Sequence, residues 1–568
     1  MTSSPFRAVT SVVAALTLVA LILPAPADTP PDAPKAVEAR NGMVACASPP
    51  AAEVGVSILK AGGNAVDAAV ATAFAMAVTY PIAGNIGGGG FMVVHPPQGK
   101  PTMFEYRETA PAAATADMFV KGVDRYGPKV VGVPGTVRGL ALAHSKFGKL
   151  PWKQVIEPAI KLAADGFPLE PWSANSLNAL VAGSPNHAEL RRVFGKDGGA
   201  ESWNAGDRLV QPDLARTLRL IADGGPDAFY TGPVAELFEA EMKAGGGLIT
   251  KADLAGYRAV EREPVHGTYR GYDVYGPPPP SAGGIGLVEM LNILETFDLK
   301  KHGRWSPETM HLMAEAMRRA YCDRARYLGD PAFTAIPPHL TTKEYARKLA
   351  ASIDPNHATP SGDLAKDIPL TSGEGDTTTH LSVVDKEGLA VANTYTLENS
   401  YGCRVVVRGA GFLLNNEMTD FNIRPGVTTR RGGVGTPPNR IAPGKRMLSS
   451  QTPTIVAKNG KVYLVTGSPG SRTIPNTVLC VLLNVLEFGM DVQAAVDAPR
   501  MHHQWFPDEL RVERIGRFAP AVERLREMGH RVVGERSQGD AHSILVDPAT
   551  GVYRGAADRR IMGKASGY

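Results

Sequence analysis

One junction in this sequence constrains the fold more than any other, the passage from residues 354–377 into the stretch that begins at Thr378. Residues 354–377 are rich in Asp, Ser, Thr and Gly and lack hydrophobic periodicity, which is typical of an exposed connecting segment. From His380 onwards the chain turns to β-branched and apolar runs separated by short turns, a pattern that favours strands. A mainly helical part therefore meets a mainly stranded part here, and we expect an α+β sandwich with helices on two packed sheets.

The junction carries three consecutive threonines, Thr377, Thr378 and Thr379. A threonine hydroxyl is a weak nucleophile near neutral pH and needs a base beside it. Cleavage just before a threonine supplies that base, because the freed α-amine lies on the same residue and has a pKa of roughly 7.7–8.0. A threonine triplet alone is more often the start of a solvent-facing strand, so other residues must decide between the two interpretations.

The overall composition argues against several functional classes. The 60 basic and 56 acidic residues are spread along the chain without a long basic block, so nucleic-acid binding is not expected. The sequence contains neither the G-x-S-x-G motif of serine hydrolases nor the H-E-x-x-H motif of zinc hydrolases. His502 and His503 are adjacent, and adjacent side chains on a strand point to opposite faces, so a structural role is favoured over metal binding.

The first residues are typical of an export signal. Arg7 supplies a positive charge, residues 12–23 form an apolar run, and Ala25-Pro26-Ala27 matches a small-x-small cleavage site. The run is too short for a stable membrane anchor, and no later segment offers about 18 uninterrupted apolar residues. We therefore expect a mature protein that begins near Asp28, has no membrane anchor and is periplasmic or secreted.

Periodicity and turn signals predict the elements around this junction. Helices are predicted at 50–61, 65–80, 152–165, 233–243, 307–327, 474–488 and 492–498. Strands are predicted at 102–111, 269–275, 380–385, 389–397, 405–407, 412–414, 454–458 and 461–466. The glycine run 87–90 has no nucleotide-loop register, so close backbone packing beside a site is expected, and residues 277–284 form a rigid loop suited to line a pocket. The four separated cysteines predict buried thiols, or at most one or two disulfides.

Several motifs, in order and at compatible spacing, extend from Gly42 to Tyr568. They are residues 62–69 (Gly-Gly-Asn-Ala-Val-Asp-Ala-Ala), the glycines 87–90, residues 107–111 (Arg-Glu-Thr-Ala-Pro), 378–380, 413–418 with Asp420, 443–446, the serines 449–450 and residues 467–470. Together they resemble the γ-glutamyltransferase family, also called glutathione hydrolases, among the N-terminal nucleophile hydrolases. The resemblance implies a four-layer αββα sandwich built from both halves of a self-cleaved chain.

The resemblance also implies the processing and the reaction. Removal of residues 1–27 and cleavage between Thr377 and Thr378 would give a large subunit 28–377 and a small subunit 378–568 that remain together as a heterodimer. Thr378 would then carry the γ-glutamyl group of glutathione or a related compound as an ester. Water or an acceptor amino acid or peptide would resolve that ester. No cofactor and no metal are implied.

The resemblance also implies a role in the active site for individual residues that match the family's motifs. Thr396 corresponds to the threonine that orients the nucleophile's amine, and the backbone amides of Gly470 and Ser471 correspond to the oxyanion hole. The expected clamp for the substrate α-carboxylate consists of Arg107, Ser449 and Ser450. The expected acceptors for its α-ammonium are Glu417 and Asp420.

Three positions depart from the family pattern. Glu398 replaces an asparagine that contacts the substrate amine in many relatives, so three carboxylates would surround one ammonium and raise at least one pKa. Ser471 replaces a second glycine, which keeps the backbone donor but narrows the allowed backbone angles. Residues 421–443 are long enough for the family's lid loop but contain no tyrosine to close it.

Two alternatives remain open at this stage. A glutaryl-type, or cephalosporin, acylase uses the same nucleophile but needs no ammonium acceptors, so the acidic pair favours an α-amino donor. A non-catalytic extracellular relative that binds peptides would not need the intact Thr378, Thr396 and Arg107.

Overall fold

The computed structural model describes residues 35–368 and 379–568 and arranges most of their strands in two seven-stranded sheets. The strands are β1 (Val37–Ala39), β2 (Gly42–Cys46), β3 (Gly89–His95), β4 (Thr102–Glu105), β5 (Phe167–Pro168), β6 (Arg208–Leu209), β7 (Val260–Arg262), β8 (Val265–Tyr269), β9 (Tyr272–Gly276), β10 (Thr379–Asp385), β11 (Ala390–Thr396), β12 (Thr454–Lys458), β13 (Lys461–Thr466), β14 (Met501–His502), β15 (Leu510–Glu513), β16 (Val532–Glu535), β17 (His542–Val546), β18 (Tyr553–Ala557) and β19 (Lys564–Gly567). One sheet has the order β1-β18-β17-β13-β12-β9-β8, and the other has the order β19-β2-β10-β11-β3-β4-β7.

Seventeen α-helices accompany these strands in the described residues. They are α1 (Pro49–Lys60), α2 (Ala65–Thr79), α3 (Thr136–Phe147), α4 (Trp152–Asp165), α5 (Pro171–Ala182), α6 (Ala188–Phe194), α7 (Pro212–Gly224), α8 (Asp227–Tyr230), α9 (Pro233–Gly245), α10 (Lys251–Gly256), α11 (Gly283–Leu294), α12 (Leu299–His302), α13 (Pro307–Tyr327), α14 (Lys343–Ala351), α15 (Ile474–Leu482), α16 (Val492–Asp497) and α17 (Ala519–Glu527). Helices α1, α2 and α3 pack on the sheet that contains β10, and α11 and α16 pack on the other sheet. Helix α4 packs on α2, and α13 and α15 pack on α11.

The alternation of side chains along the strands creates the layers. In β3, Phe91 and Val93 point into the core between the two sheets, whereas Met92 and Val94 join the core beneath α1 and α2. Strand β12 does the same on the other sheet, with Ile455 between the sheets. Both faces of both sheets are therefore apolar, and the expected four-layer αββα sandwich is confirmed.

Both sheets contain strands from before and from after the junction. Strand β10 pairs with β2 on one side and β11 on the other, β11 pairs with β3, and β12 pairs with β9. The chain's last strand, β19, returns to pair with β2. A chain of 568 residues would ordinarily suggest several domains, but residues 36–568 form one compact unit because neither half contains a complete sheet.

Helix α2 shows how local sequence fixes an element next to the site. The Asn64 side chain accepts hydrogen bonds from the amides of Val66 and Asp67, and the Asp67 carboxylate accepts from the Asn64 amide. This reciprocal capping box satisfies amides that have no partner inside the helix. Every residue of α2 is buried, because its many alanines let α1 and the sheet approach closely.

Two sequence predictions need correction. Residues 269–275 are two strands rather than one, because Arg270 and Gly271 adopt positive φ angles of 49° and 80° and reverse the chain into a hairpin. Residues 405–407 and 412–414 do not continue a sheet and share only an isolated bridge between Val406 and Leu413. Left-handed backbone at Arg404, Gly409 and Gly411 interrupts any longer pairing in that segment.

Other predictions match the structure closely. The hairpin of β12 and β13 turns at Asn459 and Gly460, both with positive φ, as the Asn-Gly pair indicates. All four cysteines are buried and none forms a disulfide. No helix in the described ranges combines the length and the apolar character that a membrane span requires. The predicted leader 1–27 lies outside those ranges.

Candidate active site

A cavity of about 540 Å³ lies where β11 ends and β10 begins. Seven of the residues singled out in the sequence line it, namely Arg107, Thr396, Glu398, Asp420, Ser449, Ser450 and Ser471. Glu417 lies fully buried against Arg107, and Gly470 directly precedes Ser471. The predicted cleavage residues Thr377 and Thr378 lie outside the described residues. Thr379 is the first residue of β10 and pairs with Tyr395, the neighbour of Thr396.

The glycine run brings β3 close to Thr396. A Cβ atom on Gly88 would lie 1.9 Å from the Thr396 carbonyl oxygen, and one on Gly87 would lie 2.2 Å from the Leu413 carbonyl oxygen. Only glycine fits such contacts. The Thr396 hydroxyl accepts a hydrogen bond from the Glu398 amide at 2.8 Å, which fixes the turn that follows β11. The expected role of this run in close backbone packing beside a site is confirmed.

Three carboxylates converge at one end of the cavity. Oxygen atoms of Glu398, Glu417 and Asp420 all lie within 4.8 Å of one another. Glu417 and Asp420 are the two ends of a single 3₁₀ turn, and Glu398 reaches the same place from a left-handed backbone conformation with φ of 74°. A group of this kind suits a cation, and an ammonium or a metal ion meets the same oxygen-donor chemistry.

Arg107 already compensates part of this negative charge. Its Nη1 atom lies 2.6 Å from Glu417 Oε2 and 3.3 Å from Glu108 Oε2, and its Nη2 atom donates to Asp420. Its Nε atom donates to the Met447 carbonyl at 3.2 Å. The Glu417 contact is an ion pair without good hydrogen-bond alignment, because neither of its oxygens accepts an aligned bond from the described residues.

The protonation of this cluster is set by burial and by crowding. Burial raises the pKa of Glu417 well above its ordinary value, Arg107 opposes that rise, and Glu108, Asp420 and Glu398 add to it. Burial also raises the pKa of Glu108 to about 7, again against Arg107. Burial alone would lower the pKa of Arg107, but the surrounding carboxylates outweigh it and hold that pKa above its usual range. Arg107 is therefore permanently cationic and at least one carboxyl is readily protonated.

Two serines, Ser449 and Ser450, form another part of the wall. The Ser449 amide donates to the Pro280 carbonyl at 2.8 Å, and the Ser449 carbonyl accepts from the Ala282 amide at 2.9 Å. The proline-rich loop 277–284 thus braces Ser449 from behind and does not itself line the cavity, which corrects the sequence prediction. The Ser450 hydroxyl accepts a hydrogen bond from Arg324 Nη2 at 3.2 Å.

The turn at Gly470 and Ser471 presents backbone amides at the start of a helix. Gly470 has φ of 129° and Ser471 has φ of 52°, and the 3₁₀ turn Ser471–Thr473 leads directly into α15. The first amides of a helix have no acceptor inside it and carry a partial positive charge. A Cβ on Gly470 would lie 2.4 Å from Thr473 Oγ1, so glycine is required there. Serine at 471 tolerates its left-handed angle at a small energetic cost.

The segment after Asp420 forms much of the outer wall. Paired backbone hydrogen bonds hold it in a long loop, from the Asn422 amide to the Asn439 carbonyl and from the Gly426 amide to the Gly435 carbonyl. Asn439 also donates to the Asp420 carbonyl at 2.7 Å and accepts from the Leu448 amide at 2.9 Å. The loop position is therefore linked to both the acidic and the serine walls.

Sequence reasoning missed several residues that organise the site. Asn415 contacts four backbone groups, the carbonyls of Gly87 and Gly132 and the amides of Gly132 and Glu417. Such an amide has no recognisable pattern of its own, although it lies within the 413–418 motif. Four other residues were not assigned a role in the site: Glu108, Arg324, Asn439 and Arg472. Two of them directly follow assigned residues, Arg107 and Ser471, which is the only signal the sequence offers.

A second cluster of potential metal ligands lies away from the cavity. His311, Glu315 and His530 place ligand atoms within 4.8 Å of one another. Glu315 is paired with two buried arginines, and the two histidine rings hydrogen-bond each other at 2.8 Å. Burial lowers the pKa of both histidines. The cluster is thus internally satisfied and serves packing.

The fold and the site together define an N-terminal nucleophile hydrolase, since two stacked antiparallel sheets lie between helical layers and β10 begins one residue after Thr378. The family model described as gamma-glutamyltranspeptidase matches residues 51–568. The chain therefore belongs to the γ-glutamyltranspeptidase family.

Individual relatives agree with this assignment. The chain is 48% identical over 542 residues to the glutathione hydrolase proenzyme of Escherichia coli K12, covering 94% of this chain and 93% of the relative. The cephalosporin acylase of Bacillus halodurans has the same fold, with a TM-score of 0.84, 29% identity and coverage of 96% and 99%. A chain of Helicobacter pylori γ-glutamyltranspeptidase is 43% identical, with a TM-score of 0.54, and covers 56% of this chain and 93% of its own length.

Proposed function

We propose that this protein cuts its own chain between Thr377 and Thr378 and then acts as a γ-glutamyl hydrolase and transferase. The observation that carries the proposal is Arg107 paired with Glu417 and Asp420 on the cavity wall. A γ-glutamyl donor carries an α-carboxylate and an α-ammonium on one carbon. The substrate's two charged groups can replace the partners in the internal ion pairs. Its α-carboxylate then binds Arg107, and its α-ammonium binds Glu417 and Asp420. Ser449 and Ser450, which line the same cavity, are proposed to complete the carboxylate site.

The first step makes the nucleophile. The Thr378 hydroxyl attacks the carbonyl of Thr377, the peptide bond breaks, and the acyl group moves from nitrogen to oxygen as an ester. Water hydrolyses the ester, leaving a carboxylate on Thr377 and a free α-amine on Thr378. That amine becomes the general base, since its ordinary pKa of roughly 7.7–8.0 leaves a useful neutral fraction at working pH.

The second step transfers the γ-glutamyl group. The α-amine takes the proton from the Thr378 hydroxyl as the oxygen attacks the γ-amide carbon, and it returns that proton to the departing amine. The backbone amides of Gly470 and Ser471, at the start of a helix, stabilise the oxyanion; one such donor is typically worth about 10²–10³-fold in rate. Thr396 is proposed to orient the α-amine. Water or an acceptor amine then breaks the γ-glutamyl ester.

The same proposal covers the mature assembly. Cleavage would leave a large subunit 28–377 and a small subunit 378–568 joined as a heterodimer, consistent with relatives named proenzymes and with a solved family chain covering 56% of this one. Proposed substrates are glutathione and related γ-glutamyl compounds, with water, amino acids or peptides as acceptors. Removal of residues 1–27 would place the protein in the periplasm or outside the cell.

Gel electrophoresis and a γ-glutamyl anilide assay test this proposal. Purified wild-type protein is expected to run as two bands, with Thr378 at the N-terminus of the smaller one, and to release the aniline. Thr378→Ala is expected to remain one inactive chain. A wild type that stays uncut and is nevertheless active would refute the nucleophile assignment.

A glutaryl-type acylase is the second candidate, because the acylase of Bacillus halodurans shares the fold over 96% of this chain. A glutaryl donor has no α-ammonium and leaves the acids of the cluster without a cation from the substrate. We therefore expect kcat/KM to be at least tenfold higher for a γ-glutamyl anilide than for the glutaryl anilide. A reversed preference would favour the acylase.

A further inference from the structure

The cavity wall contains two arginines, besides Arg107, to which the proposed chemistry assigns no role. Arg324 and Arg472 both line it, and each side chain is half-buried. Arg324 donates to the Ser450 hydroxyl at 3.2 Å, and Arg472 donates to the Gly432 carbonyl. In the described part of the chain, neither guanidinium forms an ion pair with a carboxylate, so each keeps donors directed at neutral partners only.

The electrostatics of this wall favour an anion. Burial, together with the charge of Arg472, lowers the pKa of Arg324 to about 10. Burial likewise lowers the pKa of Arg472. Asp420 attracts both guanidinium groups, but its carboxylate hydrogen-bonds with Arg107. Both arginines remain cationic at neutral pH and gain stability from any carboxylate that enters.

The two arginines belong to segments of the chain other than those that carry the acidic cluster, although Asp420 attracts both of them and Glu398 attracts Arg472. Arg324 reaches the cavity through Ser450, and Arg472 directly follows the Gly470-Ser471 turn. Arg107 provides the cation at the acidic end. At about 540 Å³ the cavity lies within the size range that encloses whole small ligands, so it has room for both halves of a γ-glutamyl amide.

We propose that Arg324 and Arg472 bind a second carboxylate, carried by the amine half of the γ-glutamyl amide. The preferred donors are then γ-glutamyl amino acids and peptides with a free carboxylate on the leaving amine, and carboxylate-bearing acceptors enter by the same contacts. The planar guanidinium fork suits this role, since it binds a carboxylate through two parallel hydrogen bonds. This specificity rests on the proposed γ-glutamyl transfer.

Two donors that differ only in that carboxylate test the proposal. Glutamate release is measured from γ-glutamylglycine and from γ-glutamylglycinamide with wild type, Arg324→Gln and Arg472→Gln. The wild type is expected to prefer γ-glutamylglycine, and each variant is expected to lower the ratio of the two kcat/KM values about tenfold, the usual scale of a charge-assisted hydrogen bond. Arg219→Gln, an exposed arginine on α7, controls for net charge and keeps the wild-type ratio.

The outcomes separate this proposal from the one on which it rests. If both variants cleave the γ-glutamyl anilide with an unchanged ratio for the glycine donors, the second carboxylate site is refuted and γ-glutamyl transfer stands. If the wild type cleaves neither the anilide nor γ-glutamylglycine, both proposals fail.

Two further measurements apply if the glutamine variants do not fold. Arg324→Lys and Arg472→Lys keep the charge and are expected to lower the ratio less than tenfold. In the wild type, added NaCl is expected to raise KM more for γ-glutamylglycine than for its amide. An equal salt dependence for the two donors would overturn the proposal.

Discussion

Glu398 is the residue at which the proposed donor recognition is tested most directly. It places a third carboxylate beside Glu417 and Asp420, at a backbone angle of φ 74°. Asparagine adopts this left-handed conformation more readily than most residues and lacks the charge. The Glu398→Asn substitution therefore changes the electrostatics at this position with little effect on the backbone.

We expect Glu398→Asn to raise KM for a γ-glutamyl anilide by about three- to tenfold, because one charge facing the α-ammonium is lost. KM for a glutaryl anilide, which has no ammonium, is not expected to rise. Steady-state kinetics with both anilides measure the difference. An unchanged KM for the γ-glutamyl anilide would remove Glu398 from the donor site.

Glu108 makes stability depend on pH. Its pKa is raised from 4.5 to about 7 by burial, so the folded state holds a proton that the unfolded chain releases near pH 4.5. The protonated form stabilises the fold at low pH, and this contribution is lost as pH rises from about 4.5 through 7. Glu108→Gln keeps the neutral shape at every pH. Its thermal midpoint is expected to fall less than that of wild type between pH 5 and pH 8.

Glu523→Gln provides the control for this measurement, because Glu523 is exposed on α17 and forms only a surface ion pair. Its pH profile is expected to follow the wild type. Parallel profiles for Glu108→Gln and wild type would show that Glu108 ionises at an ordinary pH in the folded protein.

At the scale of elements, the approach of β3 to Thr396 holds the site together. A methyl group on Gly88 would meet the Thr396 carbonyl oxygen at 1.9 Å, and the two backbones cannot separate easily because the next residue, Gly89, pairs with Thr396 in the sheet. Gly88→Ala is expected to cost more than about 3 kcal/mol, above the usual range for overpacking, and to abolish chain cleavage. Thermal unfolding and a denaturing gel provide the two readouts.

Gly286→Ala is the matched control, since this glycine lies inside helix α11 and a Cβ there has nothing within 4 Å. Alanine is a better helix former, so the variant is expected to be as stable as wild type or more stable by about 0.5–1 kcal/mol. If Gly88→Ala were processed and as stable as Gly286→Ala, the close approach would not be needed.

The elements were predictable wherever one local signal decided them. The Asn64 cap and the Asn459-Gly460 turn fixed α2 and the β12–β13 hairpin at the expected residues, because a cap or a turn depends on only a few neighbours. Residues 405–407 looked like a strand, since their apolar β-branched character does not reveal left-handed residues nearby. Site residues such as Asn415 and Arg324 depend on contacts with distant segments, which spacing along the chain does not encode.

At the scale of the whole molecule, the two halves of the chain share both sheets. Strands β10, β11 and β12, which follow the junction, pair with β2, β3 and β9, which precede it. After cleavage, refolding of a denatured sample therefore requires two separate chains to meet. For an uncut chain the same pairings are intramolecular.

We expect recovery of native structure after dilution from denaturant to depend on protein concentration for processed wild type, and not for uncut Thr378→Ala. Circular dichroism measures recovery in both without requiring activity. Equal recovery at all concentrations for the two proteins would indicate that the halves fold independently, against the shared sheets.

The shared sheets also make formation of the proposed N-terminal nucleophile depend on correct folding of the precursor. The strand that follows Thr378 takes its place only between β2 and β11, and the proposed acid and base partners come from both halves of the chain. A misfolded precursor lacks that arrangement, so the α-amine of Thr378 stays within the peptide bond to Thr377 and cannot act as a base. Under the proposed mechanism, only a correctly folded precursor is cleaved, so only folded molecules become active.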